Sequence, residues 1–377
     1  MRKHLLMVGG GHAHLFVLEA LRKQRAQWQS HLDVTLVSRD IATPYSGMLP
    51  GLIAGHYRTM QAHIDLRPLA DAAGVRLVQG AIDRFDPDGG LASGEGQEWR
   101  FDLASLDIGS TLPMAAVPGA VDHALGVRPV GNFLTRWRQM LDQINDLARP
   151  VHIVVVGGGA GGVEVVLAMA HRLAAYRERI KWSLVTRGEL LPDYPRAAAQ
   201  RMTERLAQAG IALLTDIGVT QVDDGIVHFA DGSTAAFDAL VWATGAGAQS
   251  WPAASGLASV DGDFIHVNRY LQSVSHPHVF AAGDIATDPH QRRPKAGVFA
   301  VRQGPVLAAN LLRYAAGGSL NRYRPQRDYL SLLSIGGQHA IGCWYGLVWE
   351  GDWVWRWKDR IDRRFMRRFS APFDSSA

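Results

Sequence analysis

The sequence predicts an α/β fold with two parallel sheets, each opened by a strand, a glycine turn and a helix, and three observations predict it. The first is Ile153-Val154-Val155-Val156, followed by Gly157-Gly158-Gly159-Ala160-Gly161-Gly162 and an apolar-periodic run through Leu167, Ala170 and Leu173. A β-branched run that ends in glycines and restarts with a period near 3.6 reads as a buried parallel strand, a tight turn and a helix. The second is Leu5-Leu6-Met7-Val8, then Gly9-Gly10-Gly11-His12-Ala13-His14 and a helical pattern through Val17, Leu18 and Leu21, with Gly157 lying 148 residues after Gly9. The third is that the register persists: Val34-Thr35-Leu36-Val37 ends in Ser38-Arg39, and Trp182-Ser183-Leu184-Val185 ends in Thr186-Arg187.

Gly157, Gly159 and Gly162 occupy the glycine positions of G-x-G-x-x-G. The first permits the turn, the second lets the backbone approach a pyrophosphate, and the third lets helix pack on strand, with phosphates at the helix N-terminus. In the first copy Gly9 and Gly11 fill two of these positions and His14 the third. That predicts either a wider gap between helix and strand or an imidazole pointing elsewhere. Two glycine turns predict two dinucleotide sites, hence two Rossmann-like dinucleotide-binding domains.

The 377 residues, 47% hydrophobic and 20% charged, suffice for two or three domains with cores of their own. Met1-Arg2-Lys3-His4 before an apolar run imitates a signal peptide, but the run breaks at Gly9 and reads as a strand. No apolar run reaches the roughly 18 to 20 residues of a membrane span, so a soluble or peripheral cytoplasmic protein is expected. Cys343 is the only cysteine, which excludes an internal disulfide and cysteine-based metal or iron–sulfur sites. The net charge of +4 is concentrated between Arg356 and Phe369, where seven basic residues face two acids; a general nucleic-acid surface is not supported.

In chain order, Tyr45-Ser46-Gly47-Met48-Leu49-Pro50-Gly51 reads as a punctuated loop before a helix-poor stretch to Leu66. Arg76 to Ile82 reads as a strand, Asp88-Gly89-Gly90 as a hairpin end, and Phe101 to Ser110 as a strand stopping at Gly109. Arg136 to Leu147 reads as an amphipathic helix. The second copy repeats the hairpin at Asp231-Gly232-Ser233 and the strand-to-glycine pattern at Phe237 to Gly245. Val279 to Asp284 is one more buried strand ending in Gly-Asp, and a helix follows from Phe299 to Arg313. Expected units are 1–122, 123–250, 251–325 and 326–377, the first and third forming one domain interrupted by the second.

Together these segments resemble the two-dinucleotide-binding-domain flavoproteins of the pyridine nucleotide-disulfide oxidoreductase superfamily, and the resemblance covers nearly the whole chain. Four segments carry a narrower likeness: Gly9 to His14, Tyr45 to Gly51, Pro294 to Val298 and Trp357 to Arg363. They look like the stand-alone form of the flavoprotein domain found fused to selenide, water dikinase, related to type II NADH dehydrogenases. The resemblance implies an FAD domain interrupted by an NAD(P) domain, with FAD as cofactor and NAD(P)H as substrate. On it, FAD is held by Gly9, Gly11, His12, Ala13 and His14, by Ser38 and Arg39, and by Ser46, Gly47 and Met48. Ile82, Asp107, Ile108 and Gly109 follow, then Gly283 and Asp284, and finally Lys295, Ala296, Gly297 and Val298. NAD(P)H falls to Gly157, Gly159, Ala160, Gly161, Gly162, Glu164 and Arg187, with Ala243, Thr244 and Gly245.

Lys295 and Glu164 are the catalytic candidates. Lys295 would stabilise negative charge on a reduced flavin, or is a surface lysine; Glu164 would lie near the nicotinamide, or is a carboxylate stabilised by the helix dipole. His12 and His14 read as positioning residues, not metal ligands, since no third ligand is evident. Arg187 sits where a 2′-phosphate would fall, against Glu189 reaching the ribose of NADH. Cys343 reads as a buried, inert thiol. The implied reaction passes hydride from NAD(P)H to flavin and on to a non-disulfide acceptor; a quinone is favoured by the family neighbourhood. A flavin-containing binding or sensor module tied to selenium metabolism is the alternative. Trp357, Ile361, Phe365 and Phe369 form an i+4 apolar stripe with Arg360, Arg363, Arg364 and Arg367 opposite. It would lie on the inner face of a membrane, or pack on the body or on a second subunit in a homodimer.

Overall fold

The computed structural model describes residues 2–146 and 149–370. Its two main sheets are parallel, five-stranded and built alike. In the first, Lys3–Val8 lies at the centre between Leu103–Leu106 and Leu32–Ser38, with Val279–Ala281 and Arg76–Gln79 at the edges. In the second, Val151–Val156 lies between Ala239–Trp242 and Ile180–Val185, with Leu125–Gly126 and Ile211–Leu214 at the edges. Such all-parallel sheets are covered on both faces, which is why their strands are nearly continuous apolar runs.

The repeat seen in the sequence is a repeat in pairing. Lys3 faces Leu32 across the first sheet, and Val151 faces Ile180, at the same offset, across the second. It extends to polar pins at the strand starts. The amide of His4 donates to Asp102 Oδ2 at 2.7 Å, and that of His152 to Asp238 Oδ2 at 2.7 Å. His4 Nε2 pairs with Thr35 Oγ1 and His152 Nε2 with Ser183 Oγ, both at 2.9 Å. Each copy also carries an antiparallel three-stranded meander, at Arg84–Arg100 and Val219–Ala236, whose turns include the two glycine hairpins read from sequence.

The stretch after Gly47 is a correction: Leu49–Ala54 is a helix, not helix-poor loop. Its start holds Pro50, whose missing N–H costs nothing there, and it ends at Gly55 with φ +87, the glycine stop. The amphipathic helix of the connection begins earlier than read, at Val130, and extends to Asp146; Leu147, where the reading ended it, lies outside the described residues. Helix Gly297–Ala315 packs on His12–Lys23 so closely that a Cβ at Gly304 would sit 2.5 Å from the Phe16 ring.

The C-terminal segment is an antiparallel sheet, Ser331–Ser334, Ala340–Trp344 and Leu347–Gly351, followed by helix Asp352–Ser370. It contributes to both cores: Val354, Trp355, Met366 and Phe369 join the first domain's cluster, and Leu333, Ile341 and Cys343 the second's. The expected i+4 stripe is divided. Phe369 is buried and Phe365 half-buried, whereas Trp357 and Ile361 face outward with Trp353. The helix therefore has two apolar faces, one packed on the body and one not. Burial pushes the Cys343 thiol up to about 11, consistent with an unreactive side chain.

Candidate functional site

At the C-terminal ends of the first sheet's strands a cavity of about 310 Å³ runs from Ser38 and Arg39 past Gly9–His12 to Ser46 and Gly297. Open parallel sheets place ligands there by geometry: helices that follow the strands begin at that edge and turn their free N–H groups to it. Glycine is required where the turn crosses the neighbouring strand. A Cβ on Gly9 would meet the Asp107 carbonyl oxygen at 2.5 Å, and Gly9 has φ +90.

Of the residues assigned to FAD, Gly9, Gly11, His12, Ser38, Arg39 and Ser46 line this cavity. So do Ile82, Asp107, Ile108, Gly109, Gly283, Asp284 and Gly297. Ala13 and His14 lie behind it. His14 is buried, with Nδ1 2.6 Å from the Gly9 carbonyl and Nε2 2.8 Å from Ser105 Oγ. The imidazole thus stitches helix to strand where a glycine would let them touch, and burial lowers its pKa to about 4, so it is neutral at physiological pH. His12 Nε2 is buried in the cavity wall with no hydrogen-bond partner among the described residues. A buried orphan of this kind at a cavity is satisfied when a polar ligand enters.

Asp284 is held by the Ser110 hydroxyl, which donates to Oδ2 at 2.9 Å, and by Arg128 Nη1 at 3.3 Å. Arg128 also donates to Ser110 Oγ. Neither Ser110 nor Arg128 was singled out from sequence; an arginine before a proline in a connecting segment carries no local signal. The Gly283 amide donates to Gln303 Oε1 at 2.7 Å, which fixes the turn that carries Asp284.

Lys295 is placed differently from the expectation. Its ammonium donates to the Ala286 carbonyl at 2.9 Å and to Thr287 Oγ1 at 2.5 Å, and lies 3.7 Å from the centre of the Phe264 ring. It faces a smaller neighbouring cavity that shares Gly283 and Asp284 with the larger one. Burial lowers its pKa to about 8, with Asp284 opposing. Ala296 and Val298 flank Gly297 at the start of its helix without lining the cavity, and Gly47 and Met48 lie behind Ser46.

In the second domain Gly157 has φ +134 and a Cβ there would stand 2.5 Å from the Ala243 carbonyl oxygen. At Gly162 it would stand 2.0 Å from the Gly157 carbonyl oxygen. Gly159 and Gly161 face open space, and Ala160 starts the helix. Ala243 hydrogen-bonds to Val156, bringing Thr244 and Gly245 beside the glycine turn. Thr186 is buried under Gly158, whereas Arg187 and Glu189 are exposed, with the Arg187 stem 3.6 Å from a Cβ at Gly218. The two strand-end residues therefore divide: threonine packs and arginine is free to meet solvent or ligand.

Glu164 lies inside the helix and reaches across to the C-terminal sheet, accepting the Ser334 amide at 2.8 Å. Burial raises its pKa to about 7; the Lys358 ammonium and the Ser334 amide oppose this, and the Asp362 carboxylate adds to it. Lys358 and Asp362 form a buried ion pair at 2.6 Å, and Lys358 also donates to the Gly47 carbonyl. Loop Ser46–Met48 therefore has the cavity on one side and this charged cluster on the other.

Two parallel nucleotide-binding folds, one inserted in the other and each with a glycine-lined strand end, define a two-dinucleotide-domain flavoprotein. The chain belongs to the pyridine nucleotide-disulphide oxidoreductase family, whose profile matches residues 3–304. With a single cysteine it is an FAD-dependent NAD(P)H oxidoreductase without a redox-active disulfide. It is 25% identical over 352 residues to demethylphylloquinone reductase NdbB of Synechocystis sp., covering 89% of this chain and 86% of that protein. It is 24% identical to the internal alternative NAD(P)H-ubiquinone oxidoreductase A1, mitochondrial, of Arabidopsis thaliana, over 66% of this chain and 55% of that one. The fold superposes on NDH2 of Plasmodium falciparum in complex with NADH with a TM-score of 0.79, at 15% identity and 99% coverage of both chains.

Proposed function

We propose that the chain transfers electrons from NAD(P)H to a quinone at a membrane surface, with FAD in the 310 Å³ cavity and the nicotinamide dinucleotide on the Gly157–Gly162 turn. One observation carries this reading: the cavity ends at a loop, Ser46–Met48, that is tied to the helix carrying the outward aromatic and basic face. The relatives named for phylloquinone and ubiquinone substrates support the acceptor class. Bound flavin would supply the two-electron relay between nicotinamide and quinone. The protein's part is to hold the nicotinamide dinucleotide at the helix N-terminus after Gly159, to enclose the flavin nucleotide in the larger cavity, to keep Asp284 oriented by Ser110 and Arg128, and to hold a proton. Glu164 Oε1 accepts the Ser334 N–H, so Oε2 is left to carry a proton near neutral pH, available to an acceptor that takes up protons with electrons. Stopped-flow mixing with NADH and with NADPH is expected to bleach the flavin absorbance. Reoxidation by a soluble naphthoquinone should then outrun reoxidation by oxygen at least tenfold. Equal rates with the two acceptors would remove the quinone reading while leaving the reductive half-reaction.

The membrane surface is proposed on the exposed set Trp344, Tyr345, Leu347, Trp353, Trp357 and Ile361, with Arg356, Arg360 and Arg364 exposed on the same helix. Trp353 and Trp357 stack on one another, 6.5 Å between centroids, on the unpacked face. No helix among the described residues is long and apolar enough to cross a bilayer. Each basic residue near an anionic surface contributes about 1 kcal/mol, screened over roughly 8 Å at physiological salt. Co-sedimentation with anionic liposomes is therefore expected at low salt. Replacing Trp353 and Trp357 by Ser should weaken it at least tenfold with the flavin retained, because these rings face outward. Truncating the whole helix is not a clean test, since its other face completes the first core.

A further inference from the structure

The carboxylate of Asp107 occupies the seat at which the first glycine-turn helix would receive a phosphate. Asp107 is 2% exposed, and its Oδ2 accepts the amide of Ala13 at 2.7 Å and that of His14 at 3.0 Å. Its own carbonyl accepts the Gly11 amide at 3.1 Å. The Ala13 and His14 amides are two of the first-turn N–H groups that make a helix N-terminus an anion site, and here these two already have an anion. No donor among the described residues reaches Oδ1, which stands 2.6 Å from where a Cβ on Gly283 would lie, at the cavity wall shared with Asp284. An incoming diphosphate, with two negative charges, must therefore approach a buried carboxylate whose free oxygen offers it only repulsion.

We propose that FAD binding takes up one proton at Asp107 Oδ1, which turns the repelling carboxylate into a hydrogen-bond donor toward the cofactor while Oδ2 keeps capping the helix. This rests on the reading of the cavity as the FAD site. The proton comes from solvent and no bond to carbon changes.

The surroundings favour this proton over others. Burial holds the Asp107 carboxyl up at about 7, with the Ala13 and His14 amides opposing and Asp284 adding to the rise. Other charged or titratable groups facing it are His12 and His14 on the helix, Asp284 on the next turn, and Arg128, which is paired with Asp284. His14 has both ring nitrogens engaged and its pKa is lowered by burial, so it stays neutral. His12 is also lowered by burial, but its orphan Nε2 makes it the competing proton acceptor once an anion arrives.

The experiment is a titration of flavin-free protein with FAD between pH 6 and 8.5, followed by flavin fluorescence, and by calorimetry in two buffers of different ionisation heat. If the bound form is protonated and the free form titrates near 7, the dissociation constant rises about tenfold from pH 6 to pH 8, with close to one proton taken up at pH 8. Asp107→Asn places an amide oxygen on the helix N–H groups and an N–H₂ where the proton would be. That variant is expected to bind FAD with one affinity across the range and no proton uptake, and His12→Gln to keep both the slope and the uptake. FAD binding to the wild type without proton uptake, or uptake lost in His12→Gln and kept in Asp107→Asn, overturns the proposal. No FAD binding at any pH overturns the cofactor reading instead. The calorimetry on the wild type stands even if a variant does not fold.

Discussion

Gly159→Val is expected to leave the fold and the flavin in place while lowering kcat/KM for NADH about 100-fold, or about 2.7 kcal/mol of transition-state stabilisation. The residue has φ −76 and ψ 173, extended values that valine adopts without strain. A Cβ built there meets nothing within 4 Å, so the protein alone should not register the change. The position is the second glycine of the turn, where a bare backbone is needed for a pyrophosphate to approach the helix N-terminus. A steric cost that exists only with nucleotide present separates a binding glycine from a structural one. Gly162→Val is the contrast, since its Cβ would lie 2.0 Å from the Gly157 carbonyl oxygen and the helix could not close on the strand. An efficiency for the Gly159 variant within threefold of wild type would mean that the dinucleotide does not use this turn.

Lys358→Met is expected to lower the apparent Tm by roughly 10 °C, the equivalent of about 3–5 kcal/mol for breaking a buried ion pair from one side. The Lys358 and Asp362 side chains are 12% and 6% exposed, and the pair is 2.6 Å apart. Methionine fills much of the lysine's volume but leaves Asp362 as a buried charge without a partner cation, near Glu164 and Tyr45. Adding Asp362→Asn removes that charge while keeping an acceptor for the tyrosine hydroxyl, and most of the loss should return. The pair spans one turn of the C-terminal helix and its lysine also holds the Gly47 carbonyl, so loosening it should raise the flavin dissociation constant as well. A thermal scan of the single variant within 2 °C of wild type would show that the pair is solvated.

Both glycine turns, the paired glycine hairpins and the Gly283–Asp284 strand end were legible because each is a local property of the backbone: a run of apolar residues, then a turn only glycine permits. The short helix Leu49–Ala54 is equally local, with Pro50 inside its start and Gly55 at its stop, but Gly47, Pro50 and Gly51 in close succession carry the same signal as a loop. His14 departed from the glycine pattern visibly, but where its ring would go was not legible; the answer is Ser105, on a strand 91 residues later.

Sequence alone determined that this chain makes two nucleotide-binding folds and, with one cysteine, reduces its acceptor without an internal disulfide. Tertiary structure alone decided what its charges do. Arg128 reaches Asp284, Glu164 reaches Ser334, Lys358 reaches Gly47, and Lys295 turns away from the larger cavity toward Thr287. It also divided the C-terminal apolar stripe into a packed face and an exposed one. The reason is physical: a backbone turn is set by the φ and ψ its own residues allow, whereas the state of a charge is set by its burial and by partners that only folding brings near.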